Sequence, residues 1–296
     1  MVLLAKNCFS NSSAKGTGVS KLAHLIKMRS LVAILFFPLI INGQFFNKES
    51  NFVYGINFGT HLADDSASSF YNGYYNSSFN INTILFPTIP NALSNYLDEK
   101  LGFSNWGPEN VPPNMKYRPG LELGLHLGLQ KEKIKFYLDY NFVEIKAIGE
   151  FNIVQNFNSN NNLIKENILA SLVGEERRSL INLGIISNLI SENEYHIGFP
   201  IFVQVNQSKV KSNYMVIDNQ VYNIPNPALQ LINNQNNNSL SGFGFGTGIV
   251  GSMTISQDII ISLAYNLQYS KIKLTSLDEF KAIQNSIILR IIWNKK

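Results

Sequence analysis

Residues 117–142 read YRPGLELGLHLGLQKEKIKFYLDYNF, and the fold follows from this stretch. Tyr117, Pro119, Leu121, Leu123, Leu125, Leu127 and Leu129 share one face, while Arg118, Gly120, Glu122, Gly124, His126, Gly128 and Gln130 share the other. A period of two places successive side chains on opposite sides of an extended chain, which is the pattern of a β-strand. Lys131-Glu132-Lys133 turns the chain, and Ile134, Phe136, Leu138, Tyr140 and Phe142 resume the alternation opposite Lys135, Tyr137, Asp139 and Asn141. A soluble sandwich would bury the apolar face and leave the other in water. Here the polar face mixes charges with glycines, the composition of a narrow wet interior, so the apolar face is expected to meet lipid as in a transmembrane β-barrel.

The same alternation recurs outward from this hairpin. It predicts strands over 51–61, 178–190, 195–206, 240–255, 259–272 and 284–293. Three connections are short and polar: 131–133, 191–194 and 256–258. Three are long, at 62–116, 143–176 and 209–239, and are read as polar external loops, the second carrying the Asn-rich run 156–162. Even strand number, short turns at one end and long loops at the other predict an eight-stranded antiparallel up-and-down barrel with both termini in the periplasm. Strand aromatics fall near strand ends, with Phe52, Tyr54, Tyr195 and Trp293 at the short-turn end and Tyr117, Tyr140, Phe142, Phe243 and Tyr269 at the other, as interfacial girdles would.

The loop 62–116 carries a helix signal over 89–101. Thr88 can cap it, Pro90 suits its first turn, Leu93, Tyr96, Leu97 and Leu101 share a face, and Gly102 stops it. A helix this short is marginal alone. Its stripe, with Trp106 and other loop aromatics, is expected to fold as a cap over the outer mouth of the barrel and to be the main partner-binding surface; the alternative is a mobile aromatic-rich loop touching lipopolysaccharide.

Arg29, the apolar run 31–41 and Asn42-Gly43-Gln44 read as a secretory signal cleaved after Gly43, with Met28 as the natural start. Residues 44–296 then form the barrel. The leader removes five of the 24 basic residues and none of the 20 acids, so the mature net charge is about −1. The basic pI belongs to the leader and carries no nucleic-acid inference. Cys8, the one cysteine, lies in the leader as well.

Few residues point to chemistry. Gly246, Gly248 and Gly251 match G-x-G-x-x-G, but they continue an alternating strand with no helix behind them, so no cofactor is expected. His61 with Asp64, Asp65 and Ser66 could imitate the rim histidine site of barrel palmitoyltransferases. His126 and His196 lie at other depths, which leaves no metal set. Arg118, Glu122, Lys135, Asp139 and Arg290 are all expected to point inward as a structural charge network, because eight strands enclose a space that side chains fill and charges there must pair.

Gly55-Ile-Asn-Phe-Gly59, Arg118-Pro-Gly-Leu-Glu-Leu-Gly124, Ile197-Gly-Phe-Pro-Ile-Phe202 and Leu263-Ala-Tyr-Asn266 together resemble the PorT-like outer-membrane β-barrel family in strand pattern over about 51–293. The resemblance implies an eight-stranded barrel in the bacterial outer membrane, and one branch of the family is needed for type IX secretion. A non-enzymatic accessory or scaffold role in secretion or surface assembly is the expectation. Its partners would be outer-membrane lipid and lipopolysaccharide, the barrel-insertion machinery, and secretion-system or surface proteins. A rim enzyme acting on lipid and a small-solute pore are the alternatives.

Overall fold

The computed structural model describes residues 51–73, 80–86, 92–101, 106–112, 114–131, 133–159, 162–192, 194–224, 240–274 and 279–295. The leader expected over 1–43 lies outside them. Ten strands follow in chain order: β1 Asn51–Leu62, β2 Trp106–Glu109, β3 Lys116–Lys131, β4 Ile134–Ser159, β5 Asn162–Glu192, β6 Tyr195–Ile217, β7 Gln220–Asn223, β8 Leu240–Thr254, β9 Ile259–Lys273 and β10 Glu279–Lys295. Eight of them close a ring in which each strand pairs antiparallel with its neighbours in sequence, and β10 returns to β1. Closure removes every edge, as spanning a bilayer demands. The short strands β2 and β7 lie outside the ring, on β4 and β6.

The apolar face of each strand is exposed, with Leu125 at 57%, Phe245 at 63%, Ile249 at 59% and Leu263 at 57%. Leu121 to Leu129 on β3, Ile134 to Phe142 on β4 and Ile259 to Tyr269 on β9 are runs of 9, 9 and 11 residues with the apolar members outward, the roughly 9–11 residues that a tilted span needs. Tyr54 stacks on Trp293 at the short-turn end, and Tyr140 meets Phe142 edge-on at the other. Among the described residues no helix is long and apolar enough to cross a membrane; the strands do so.

Three strands outrun the bilayer. β4 has 26 residues, β5 has 31 and β6 has 23, so 143–159, 162–176 and 209–217, expected as polar loops, are strands. The reason is a reversal in the sense of the alternation. Below Phe142 the apolar residues of β4 face out; above it Val143, Ile145, Ala147, Phe151 and Ile153 face in and are buried, while Glu144, Lys146 and Glu150 face out. β5 reverses at Leu180 and Ile181, and β6 carries Val210, Met215 and Ile217 inward. The wall keeps its period but passes from lipid to water, so its greasy side turns inward.

That inner face is closed by the first connection. A 3-10 helix, Asp65–Tyr71, buries Ala67, Phe70 and Tyr71, and is capped by the Asp64 carboxylate accepting from the Ser66 amide. α1, Ile81–Leu85, adds Ile84 and Leu85, and α2, Ala92–Leu101, adds Leu93 and Leu97. These side chains share one core with those of β4, β5 and β6. Together they form a crown that joins the first connection to the extended strands. Tyr96 and Trp106 pack on its margin. Trp106 stacks on Phe86 and donates to Asp98 across 3.1 Å. The helix is described from Ala92, so its expected start lies outside the described residues, as does the Leu101 side chain.

Candidate functional site

Two regions carry the polar chemistry: the lumen and the crown above it. Inside the barrel the small residues work as the alternation implies. The ring of Phe202 lies where a side chain on Gly246 would stand, and it joins Tyr137, Ile186, Val250 and Ala264 in a small apolar cluster. The opposite wall is polar. Arg290 donates to Asp139 at 2.8 Å, and His126 Nδ1 meets the other Asp139 oxygen at 2.6 Å. Asn57 donates to Asp139 and to Asn141, Asn141 donates to Glu122 at 2.6 Å, and Glu122 lies 3.5 Å from His61. His61 Nε2 meets the Gln284 carbonyl oxygen at 2.6 Å, and because that oxygen only accepts, the imidazole donates there. Gln284 also accepts from Arg178 at 2.9 Å. A file of polar contacts thus runs the length of the lumen from Arg290 to Arg178.

The five expected charges divide. Asp139, Arg290 and Glu122 belong to this file, and Asp139 and Arg290 form its ion pair. Lys135 lines a recess at the short-turn end beside Arg290, His196, Asn188 and Ser262, and forms no ion pair among the described residues. Arg118 is a correction, because it is exposed on the outer surface. Arg118 pairs with Lys146 but Leu121 with Glu144, so β3 carries one extra residue between them. A bulge of one residue exchanges the two faces beyond it. Arg118 is thereby turned out, and Tyr117, expected in the outer girdle, is turned in.

Tyr117 lands beside a buried charge pair that the sequence pattern did not single out. Arg178 donates to Glu176 at 2.8 and 3.0 Å, both side chains fully buried, with the guanidinium over the Tyr117 ring at 5.3 Å. Tyr117 donates its hydroxyl proton to the other Glu176 oxygen. Tyr71 of the 3-10 helix lies against the backbone of Gly174, where a side chain would strike its ring. Burial first, and then the Glu176 charge, push the Tyr71 hydroxyl well above its ordinary pKa. The only sequence signal for the pair was its parity: Leu172, Gly174, Glu176, Arg178 and Leu180 keep step, with Glu175, Arg177 and Ser179 opposite.

The rim-histidine arrangement is not assembled. His61 is fully buried and engaged with Ser286 and Gln284, Asp65 accepts from the Tyr117 amide, and Asp64 caps its own helix. His126 and His196 are held apart, the latter by Ser191 at the short-turn end. No group of residues that could hold a metal occurs among the described residues. The three glycines of the G-x-G-x-x-G stretch lie within β8.

No family model matches the chain, and no curated protein matches it. Among solved structures it is similar to Neisserial surface protein A at 8% identity, covering 82% of this chain and 96% of that one with a TM-score of 0.41. It is similar to the outer membrane protein OprG from Pseudomonas aeruginosa at 9% identity, covering 84% and 97% with a TM-score of 0.41. It is also similar to Ail, the attachment invasion locus protein of Yersinia pestis, solved with the heparin analogue sucrose octasulfate, at 7% identity, covering 82% and 99% with a TM-score of 0.32. The closed ring, its lipid-facing band and its sorted connections make this chain an eight-stranded β-barrel of the bacterial outer membrane.

Proposed function

We propose that the protein is a non-enzymatic docking scaffold of the outer membrane whose working surface is the crown, serving protein secretion or surface assembly. One observation carries the reading: the strands continue past the bilayer into a structure with an apolar core of its own, joined to the 3-10 helix, α1 and α2. A barrel that served only as an anchor would not need such a domain, and long ordered connections are commonly functional. The filled lumen argues against the pore alternative, because Arg290, Asp139, Phe202 and Arg178 occupy the space a solute would cross. The crown presents Leu169 at 60% and Val221 at 61% exposure on β5 and β7, apolar contacts that a partner protein would cover. Type IX secretion, the setting implied by the PorT-like resemblance, is the first pathway to examine.

The test places a photo-crosslinking residue at Val221 on intact cells. A defined envelope or secreted protein captured from Val221, lost when Leu97→Asp unfolds the crown, and not captured from Glu192 at the short-turn end supports the scaffold. Capture that is indifferent to Leu97→Asp, or no capture with a secretion defect absent in the deletion strain, overturns it.

A further inference from the structure

Where the apolar band ends at the crown side, the outward face turns basic. Arg118 on β3, Lys146 on β4, Arg177 on β5, and Lys209 and Lys211 on β6 are all exposed on four adjacent strands. Their registers make them neighbours, since Arg118 stands opposite Lys146 and Arg177 opposite Lys209. Glu144, Glu175 and, farther from the lipid, Glu150 are acids on these outward faces. Glu144 accepts from Arg177 at 2.5 Å and Lys211 at 3.3 Å, and Glu175 pairs with Lys146 at 2.7 Å. Among the described residues the cations on these faces outnumber the acids. Arg118 has no ion-pair partner among the described residues.

We propose that this belt is a binding site for the phosphorylated glycolipid of the outer leaflet, with its cations on the lipid phosphates. Position selects the occupant. Glu144 follows Phe142 as the next outward residue on β4, Arg177 lies two outward positions above Ile181, and Lys209 two above Val205. The cations therefore sit three to six residues beyond the hydrocarbon edge, roughly 10–20 Å along an extended strand and less in height for a tilted one, which is the zone of the headgroups and the sugars next to them. Acyl chains lying on Leu121, Phe142 and Ile181 would bring their phosphates to this height. Arginine provides the planar fork that suits phosphate, and lysine a point charge. The opposite end of the barrel lacks this bias: the exposed charges there include Glu192, Glu194 and Asp258 as well as Lys133. A second, smaller basic group lies on β9 and β10, where Lys271 and Lys273 pair with Glu279 and Lys281 stands exposed beside them. A soluble polyanion would find the same charge, but half of its contact would be with lipid, which favours a ligand already in the membrane.

The full-length barrel is reconstituted in phosphatidylcholine nanodiscs with purified lipopolysaccharide, and retained glycolipid is measured after washing. Wild type is expected to retain it, with retention falling as salt rises. The triple variant Arg118→Gln, Lys209→Gln, Lys211→Gln should lose about tenfold in affinity or more, at the increment expected per basic residue near an anionic surface. Lys133→Gln at the short-turn end should leave retention unchanged, and enzymatically dephosphorylated glycolipid should bind as weakly to wild type as the intact lipid does to the triple variant. These outward residues are solvated, so the variants are expected to keep the wild-type heat-modifiable mobility. Equal retention by wild type and triple variant, or equal retention of dephosphorylated lipid, overturns the proposal. So does heparin binding to lipid-free micelles as tightly as the glycolipid binds, which would assign the belt to a soluble polyanion.

Discussion

Replacing Glu176 with alanine strands Arg178 in the crown floor. Arg178 loses both bonds from Nε and Nη2, at 3.0 and 2.8 Å, together with its counter-charge, and Tyr117 loses its acceptor. What remains for the guanidinium is one bond to Gln284 at 2.9 Å and the Tyr117 ring. Both partners are fully buried, so water cannot replace the carboxylate without opening the core. Breaking a buried pair from one side costs about 3–5 kcal/mol, whereas exchanging both partners for apolar groups of like volume is close to neutral. Glu176→Ala should therefore destabilise the crown by about 3–5 kcal/mol, and Glu176→Leu with Arg178→Met should recover most of that loss. The chain has two tryptophans, one in the crown and one at the short-turn end, so a Trp293→Phe background leaves Trp106 as a reporter of the crown alone. Urea unfolding in micelles, followed by Trp106 emission, gives both numbers. A loss below about 1 kcal/mol for Glu176→Ala, or a double variant no better than the single, would refute the reasoning.

Gly174→Ala places a methyl carbon 2.5 and 2.6 Å from the Tyr71 ring edges, so the 3-10 helix must shift, at about 1–3 kcal/mol in the same Trp106 assay. Leu97→Ala, in the fully buried stripe of α2, should cost about 2–5 kcal/mol and admit trypsin at Lys100 on intact cells, while the barrel fragment stays intact. Arg290→Ala should lower the unfolding midpoint without raising planar-bilayer conductance, because Tyr137, Phe202 and the remaining polar file still fill the lumen. The contact of α2 with the β6–β7 turn is pH-dependent. Hydrogen bonds from Lys100 and then Tyr96 hold the Asp218 carboxyl below its ordinary value, and the bond to Asp218 holds the Lys100 ammonium above its own. A lowered acid contributes fully above its unfolded pKa and a raised base fully below its own, so the contact contributes fully between about pH 4 and 10, and its contribution declines below that window as Asp218 protonates and above it as Lys100 deprotonates. The Tyr96 and Tyr222 ring resonances, which lie 5.7 Å apart, should titrate below pH 4 in wild type and stay flat in Asp218→Asn.

The lipid-facing barrel was legible because one solvent faces each side of its wall along a whole strand. Leu121, Leu123, Leu125 and Leu127 against Glu122, Gly124, His126 and Gly128 allow one reading, and β1, β8 and β9 repeat it. Arg118 was misplaced because a bulge leaves no compositional mark: Arg118-Pro119-Gly120 continues the alternation on paper while the backbone inserts a residue. The Asp139–Arg290 pair could be inferred, since both residues keep inward parity and carry opposite charge. The Glu176–Arg178 pair could not be, because 143–176 reads as loop once its apolar members cease to face outward, which leaves Glu176 off the strand that begins at 178.

The crown was hidden by the same physics that made the barrel plain. In the bilayer the hydrophobic effect assigns apolar groups to the outside, and above it to the inside, so a continuous strand must exchange its polar and apolar faces at the headgroups. The exchange leaves adjacent apolar residues, Phe142-Val143 on β4, Leu180-Ile181 on β5 and Ala282-Ile283 on β10, each with one member exposed and the other buried. Read for alternation, such a doublet looks like the end of a strand; read for solvent, it marks where the strand leaves the lipid. The doublet on β4 lies immediately below Glu144 and Lys146, and the one on β10 immediately below Lys281, so the same boundary that turns the core inward also sets the charged belt at the membrane surface. Crown, belt and lipid band are consequences of one change of solvent along a single continuous sheet.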